Sequence, residues 1–135
     1  MTDIGTFKID LAVRDYECDM QGIVNNANYQ HYLEHARHEY LKEKGLDFAT
    51  LTQDGIIVVV VRIELDFCKP LRSGDRFTVS VVPFRQSRLR LGFHQEIRHV
   101  ETEETHLRGR VLTTAVNENG RPWFPEVLKG LLPSD

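Results

Sequence analysis

The chain has 135 residues, 41% of them hydrophobic and 27% charged, with a formal net charge of −3 at pH 7. That is enough for one domain, residues 1–135, with a core of its own, and the acidic balance argues against nucleic acid or an anionic membrane as the main partner. No apolar run approaches the roughly 20 residues that span a bilayer, and the opening MTDIGTFKID lacks the basic start and apolar centre of a secretory signal. Two cysteines, Cys18 and Cys68, are too few for a disulfide scaffold, so a reducing, cytoplasmic location is expected.

Phe7, Ile9, Leu11 and Val13 alternate with Lys8, Asp10, Ala12 and Arg14, the period of two that marks a half-buried strand. The next stretch, Asp15 to Tyr29, is polar and turn-rich, with Gly22 near its middle. A helix begins near Asn25 to Asn28, whose side-chain oxygens can cap free amides. Tyr29, Tyr32, Leu33, Ala36 and Tyr40 share one face of it, and Gly45 ends it.

From Ile56 to Val61 the chain is apolar on both faces, then Ile63, Leu65 and Phe67 point inward against Glu64 and Asp66. The apolar half is expected to be buried on both sides, as a central strand or at a subunit interface. KPLRSGD, Lys69 to Asp75, reads as a turn. Three further alternating stretches follow, through Phe77, Val79 and Val81, through Leu89, Leu91, Phe93 and Ile97, and through Leu107, Val111, Thr113 and Ala115. NENG at 117–120 is a turn, and Pro122 and Pro125 bracket Trp123 before a short terminal helix. These elements give an α+β domain: one long helix, and strands that can pair as an antiparallel meander wrapped around it.

The segment DYECDMQGIVNNANYQHYLEHAR resembles the signature of the 4-hydroxybenzoyl-CoA thioesterase family of hotdog proteins. In that family an aspartate, two variable residues, a glycine and a short apolar step precede the central helix. KPLRSGDRF and GRPWFP resemble later landmarks of the same family and fall in the expected order. The run VRDYECDMQGIVNNANY is also similar to plant acyl-lipid thioesterases and methylketone synthases of that fold. Two positions depart from the pattern. Many relatives place threonine where Cys18 stands, and histidine where Ile23 stands.

The resemblance implies a hotdog fold and hydrolysis of acyl thioesters of coenzyme A, or of acyl carrier protein. Asp19 would be the catalytic carboxylate, and the backbone amide near Asn26 would polarise the thioester carbonyl. Gly22, Ile23 and Tyr29 are assigned to the substrate side of that point, while Arg85, Arg88 and Arg90 read either as a solvated strand end or, with a thioesterase reading, as candidates for coenzyme A phosphates. The physics is consistent: a helix N-terminus offers unpaired N–H groups and about half a positive charge to a developing oxyanion. An aspartate can attack the carbonyl or deprotonate water. No cofactor or metal is needed. A homodimer or homotetramer is implied, with active sites across the subunit boundary.

Several residues have plainer readings. Asn25, Asn26 and Asn28 serve adequately as caps. Glu34 and Arg37, three apart on the helix, fit an ion pair, with Glu34 the reserve acid. His31, His35 and His38 lie at metal-compatible spacing, but no His-Glu-x-x-His motif accompanies them, so solvated helix histidines are expected. Cys18 carries no mark of an activated thiolate and reads as a small packed residue. A hotdog hydratase would carry histidine five residues after the aspartate, where this chain has Val24. A protein that binds acyl thioesters without hydrolysing them is the remaining alternative.

Overall fold

The computed structural model describes residues 6–132, so the first five residues of the segment read for a secretory signal lie outside the described residues. Strand β1 is Phe7–Ala12, and a single 3-10 turn at Asp15–Glu17 leads to helix α1, Asn26–Glu43. A second helix, α2, Phe48–Gln53, precedes strands β2, Ile57–Phe67, β3, Arg76–Arg85, β4, Arg90–His99, and β5, Thr105–Val116. Strand β6, Pro122–Trp123, and helix α3, Glu126–Lys129, end the described chain. Among the described residues no helix is long and apolar enough to cross a membrane.

Helix α1 forms as the sequence dictates. The Asn25 side chain accepts from the Ala27 amide at 2.9 Å to start it, and Gly45 ends it in the left-handed region at φ 75°. Tyr29, Tyr32, Leu33, Ala36, Tyr40 and Leu41 are buried. They pack on the concave sheet face through Phe77, Val79, Val81, Phe93 and Ile97, with the Tyr32 and Phe77 rings 4.9 Å apart. A Cβ on Gly109 would lie 2.9 Å from Leu65 Cδ2 and 3.2 Å from Leu33 Cδ1, so the missing side chain sets how closely helix and sheet approach.

The sheet runs β1-β3-β4-β5-β2, with every pairing antiparallel and β6 added beside β5. Only β3, β4 and β5 form a meander. β2 is not next to β3, so Lys69–Asp75 is a crossover from the β2 edge past β5 and β4 to β3, not a hairpin turn. Its Leu71 is fully buried beneath it.

β2 is therefore an edge strand. In the single chain Ile57, Val60, Val61 and Phe67 are 45%, 45%, 42% and 52% exposed, which corrects the expectation of a central strand buried on both faces. Ile63 is also exposed, and of the three residues expected inward only Leu65 joins the core. A register shift between Val60 and Arg62 leaves Val61 as the extra residue and breaks the simple alternation. α2 was not foreseen. It is capped by Asp47, whose carboxylate accepts from the Thr50 amide at 3.0 Å.

Candidate active site

The loop between β1 and α1 closes on itself around Asp19. The Asp19 amide donates to Ile23 O at 2.8 Å, and the Gly22 amide donates to Asp19 O at 3.0 Å. Asp19 Oδ1 accepts from the Gln21 amide at 2.9 Å and the Ile23 amide at 3.4 Å. Gly22 sits at φ 79°, in the region where L side chains are strained, and this lets the chain reverse. The Asp19 carboxylate is thus presented at an exposed turn.

Two sets of contacts fix this turn to its surroundings. On one side, Ile23 bridges Arg72, the Val24 amide donates to Leu71 O at 2.9 Å, and the Leu71 amide donates to Tyr29 Oη at 2.9 Å. The crossover from β2 is thereby sewn between the turn and the helix. On the other side is Glu17, a buried carboxylate. Its Oε1 accepts from the Arg14 amide at 2.9 Å and from the Tyr32 hydroxyl at 2.8 Å. Its carbonyl accepts from the Asn25 amide at 3.0 Å and Asn28 Nδ2 at 2.9 Å. Burial, and then the bond to Glu17, hold the Tyr32 hydroxyl far above the ordinary phenol range. Glu17 joins the Asp19 turn to the first turn of α1.

The amides at the helix start can be accounted for one by one. That of Asn25 goes to Glu17 O, that of Ala27 to Asn25 Oδ1 and that of Asn28 to Asn25 O. Asn26 is the first helical residue, whose N–H has no intrahelical acceptor. Among the described residues nothing else engages it. The cap is Asn25, Asn28 is tied to Glu17, and Asn26 is exposed.

The other expected site residues separate into groups. Gly22 and Ile23 belong to the Asp19 turn. Tyr29 is buried in the core, edge-on to Phe67 and Tyr32, with its hydroxyl committed to Leu71. Arg88 lies in the β3–β4 hairpin, beside Ser87, Leu89 and Thr114 around a shallow cavity of about 320 Å³. The strand registers put that hairpin with the Ile57 end of β2, whereas the Asp19 turn is at the opposite end, with Phe67 and Leu107. One chain therefore does not bring Asp19 and Arg88 together. Arg85 is committed locally, donating to Ser87 O at 3.2 Å and Arg88 O at 2.7 Å and lying 4.2 Å over the Phe124 ring.

Along α1 the expected Glu34–Arg37 ion pair is replaced. Glu34 lies 3.7 Å from His38, while Arg37 turns inward and donates to Gln95 Oε1 at 3.0 Å. Gln95 is buried on β4 and donates from Nε2 to Leu33 O at 3.1 Å, so it offers Arg37 an oriented carbonyl that the solvated Glu34 does not. Burial lowers His38 below the ordinary histidine range. Among the described residues no group of three His, Cys, Asp or Glu is placed to hold a metal ion. Burial, and then the carboxylates of Asp15, Asp19 and Glu17, push the Cys18 thiol up, away from thiolate reactivity.

A sequence profile of the Thioesterase-like superfamily matches residues 13–132, from the end of β1 through the last described residue. The chain belongs to that superfamily. It is similar to two Arabidopsis thaliana chloroplastic proteins, the acyl-acyl carrier protein thioesterases ATL2 and ATL3. It is 35% identical to ATL2 over 90% of this chain and 65% of the relative, and 33% identical to ATL3 over 85% and 60%. The chain thus spans less than two thirds of the length of either. In three dimensions it superposes on a 1,4-dihydroxy-2-naphthoyl-CoA thioesterase from Synechocystis with a TM-score of 0.87, covering 95% of this chain and 96% of that one. At 20% identity that likeness establishes the shared fold, the hotdog arrangement of one long helix in a curved antiparallel sheet.

Glu17, Gln95 and Leu71 were missed as site-supporting residues. Only Glu17 left a trace, as an acid two positions before Asp19, and neither spacing nor composition tells a buried glutamate from a solvated one.

Proposed function

We propose that this chain hydrolyses acyl thioesters of coenzyme A to free acid and thiol. Asp19 acts as nucleophile or general base, and the Asn26 amide holds the oxyanion. The observation that carries this reading is the amide accounting. At the start of an 18-residue helix the amides of Asn25, Ala27 and Asn28 are occupied while, among the described residues, nothing engages Asn26 N–H, next to a turn that presents a carboxylate. In the first route the Asp19 carboxylate bonds to the thioester carbon and the C–S bond breaks. Thiolate leaves, and water then cleaves the mixed anhydride. In the second, Asp19 takes a proton from water as its oxygen attacks, and the thiolate leaves from the same tetrahedral species. Both routes build negative charge on the carbonyl oxygen, where an unengaged amide at a helix N-terminus is most effective.

The names of the Arabidopsis relatives favour acyl carrier protein as a second carrier. A thiol-release assay on acyl-CoA and on acyl carrier protein thioesters tests both. Release from either, at a rate well above the buffer blank, is expected. No release from any acyl length on either carrier would overturn the proposal.

The working unit is a homodimer, or a tetramer built from dimers. Among the described residues β2 has one edge of backbone without a partner strand and a row of exposed branched apolar side chains, an arrangement that invites a second strand. Antiparallel pairing of β2 with its own copy sets the Ile57 end of one strand beside the Phe67 end of the other. The Arg88 hairpin of one copy would then approach the Asp19 end of its neighbour, so that the two can share a substrate. Sedimentation at micromolar concentration is expected to give at least twice the 15.6 kDa chain mass. A stable, fully active monomer would refute it.

A further inference from the structure

A groove runs along α1 between the helix and β2, and it begins at the start of the helix. Its first part, about 340 Å³, is lined by Ala27, Gln30, His31, Ile63 and Val111. Its second part, about 300 Å³, is more enclosed, with Leu41, Val58, Leu91, Phe93 and Leu128 as apolar walls. Both parts share Glu34, Arg37 and Val60, which mark a waist. Arg37 is drawn down against Gln95 there, so its guanidinium is held at the floor. The far part is bounded by Phe48 of α2, whose ring stands edge-on to His38 at 4.6 Å.

We infer that this groove holds the acyl chain of a long-chain fatty thioester, and that Phe48 against His38 sets its upper length. The inference rests on the thioesterase reading, with the carbonyl at Asn26. From Asn26 to His38 is twelve residues and to Leu41 fifteen, or about 18 to 22 Å at 1.5 Å per residue. An extended alkyl chain advances about 1.25 Å per bond, from a 1.52 Å C–C bond and a tetrahedral angle. The groove therefore accepts about fourteen to eighteen carbons. A single aromatic ring would reach no further than the first part and leave the apolar far part unfilled. Burial of each added methylene is worth roughly a fourfold gain in binding, so selectivity should climb with length and stop at the far wall.

The test is the profile of kcat/KM for saturated acyl-CoAs from C8 to C20, with benzoyl-CoA for comparison. It is measured on the wild type, Phe48→Ala and Val58→Trp, with calorimetric titration of palmitate on the same proteins. The wild-type optimum should fall between C14 and C18, with benzoyl-CoA at least tenfold worse. Phe48→Ala should move the optimum up by two carbons or more. Val58→Trp, which fills the far part, should move it down by four or more and weaken palmitate at least tenfold. Phe48 is on the surface of a short helix. If its replacement lowers the melting temperature markedly, the Val58 variant decides. An optimum at short or aromatic acyl groups, or one that neither substitution moves, overturns the inference while leaving hydrolysis intact. Loss of all hydrolysis in the wild type would instead overturn the thioesterase reading, and palmitate binding would still report on the groove.

Discussion

Asp19→Asn is expected to fold as the wild type does and to lose at least about a hundredfold in kcat. The first half of that expectation comes from the turn. Asp19 Oδ1 accepts from the Gln21 and Ile23 amides, and an asparagine side-chain oxygen accepts from the same two donors. The backbone bonds between Asp19 and Ile23, and the left-handed Gly22, are untouched by the change. The second half is chemical, because a carboxamide neither attacks a thioester at neutral pH nor takes a proton from water. Thermal melting should therefore coincide for the two proteins while thiol release collapses. Near wild-type kcat in the variant would remove Asp19 from the mechanism. Glu34 would then be the next acid to replace, since it is exposed and lines the groove two helical turns from Asn26, whereas Glu17 is buried and already hydrogen-bonded to Tyr32 and Arg14.

Local rules were legible in the sequence wherever the local signal was complete. The tyrosine-lined face, an asparagine cap and a terminal glycine placed α1 correctly, because helix pattern and caps agree and the core lies on one side. The β1, β3, β4 and β5 alternation was read directly for the same reason. β2 was harder. A run of isoleucine and valine signals burial without saying what provides it, and in one chain β5 pairs with β2 while much of the run stays exposed. Sequence order also suggests that β2 pairs with β3. Only the whole sheet shows that the crossover must pass β5 and β4 to reach β3, and this crossover is what brings Leu71 to Tyr29 and Arg72 to Ile23. Glu17 and Gln95 stayed hidden because each is polar by composition and is buried only through a partner distant in sequence, Tyr32 for one and Arg37 for the other. α2 has one capping aspartate and six residues, too short for periodicity to register.

The Asn26 amide is the part of the site that side-chain scanning would miss, and two substitutions at one position isolate it. Asn26→Ala removes the side chain and keeps the N–H. The helix is capped by Asn25, so this variant should retain both stability and kcat. Asn26→Pro deletes the N–H itself. Residue 26 is the first position of the helix, where proline is favoured and costs no intrahelical bond. Proline also requires the preceding residue to be extended. Asn25 already is, at φ −67° and ψ 140°, so the restriction is met in the native backbone. The proline variant is therefore expected to show the wild-type circular dichroism spectrum and melting curve, with kcat reduced by about 10² to 10³, the usual cost of one oxyanion donor. KM should change far less, because the ground-state carbonyl depends on that donor less than the oxyanion does. Equal kcat in the alanine and proline variants, with both well folded, would mean that the oxyanion is held elsewhere. The Asn25, Ala27 and Asn28 amides are poor replacements, each being hydrogen-bonded within the protein. That result would therefore count against the helix start as the site of the reaction, and not merely against Asn26.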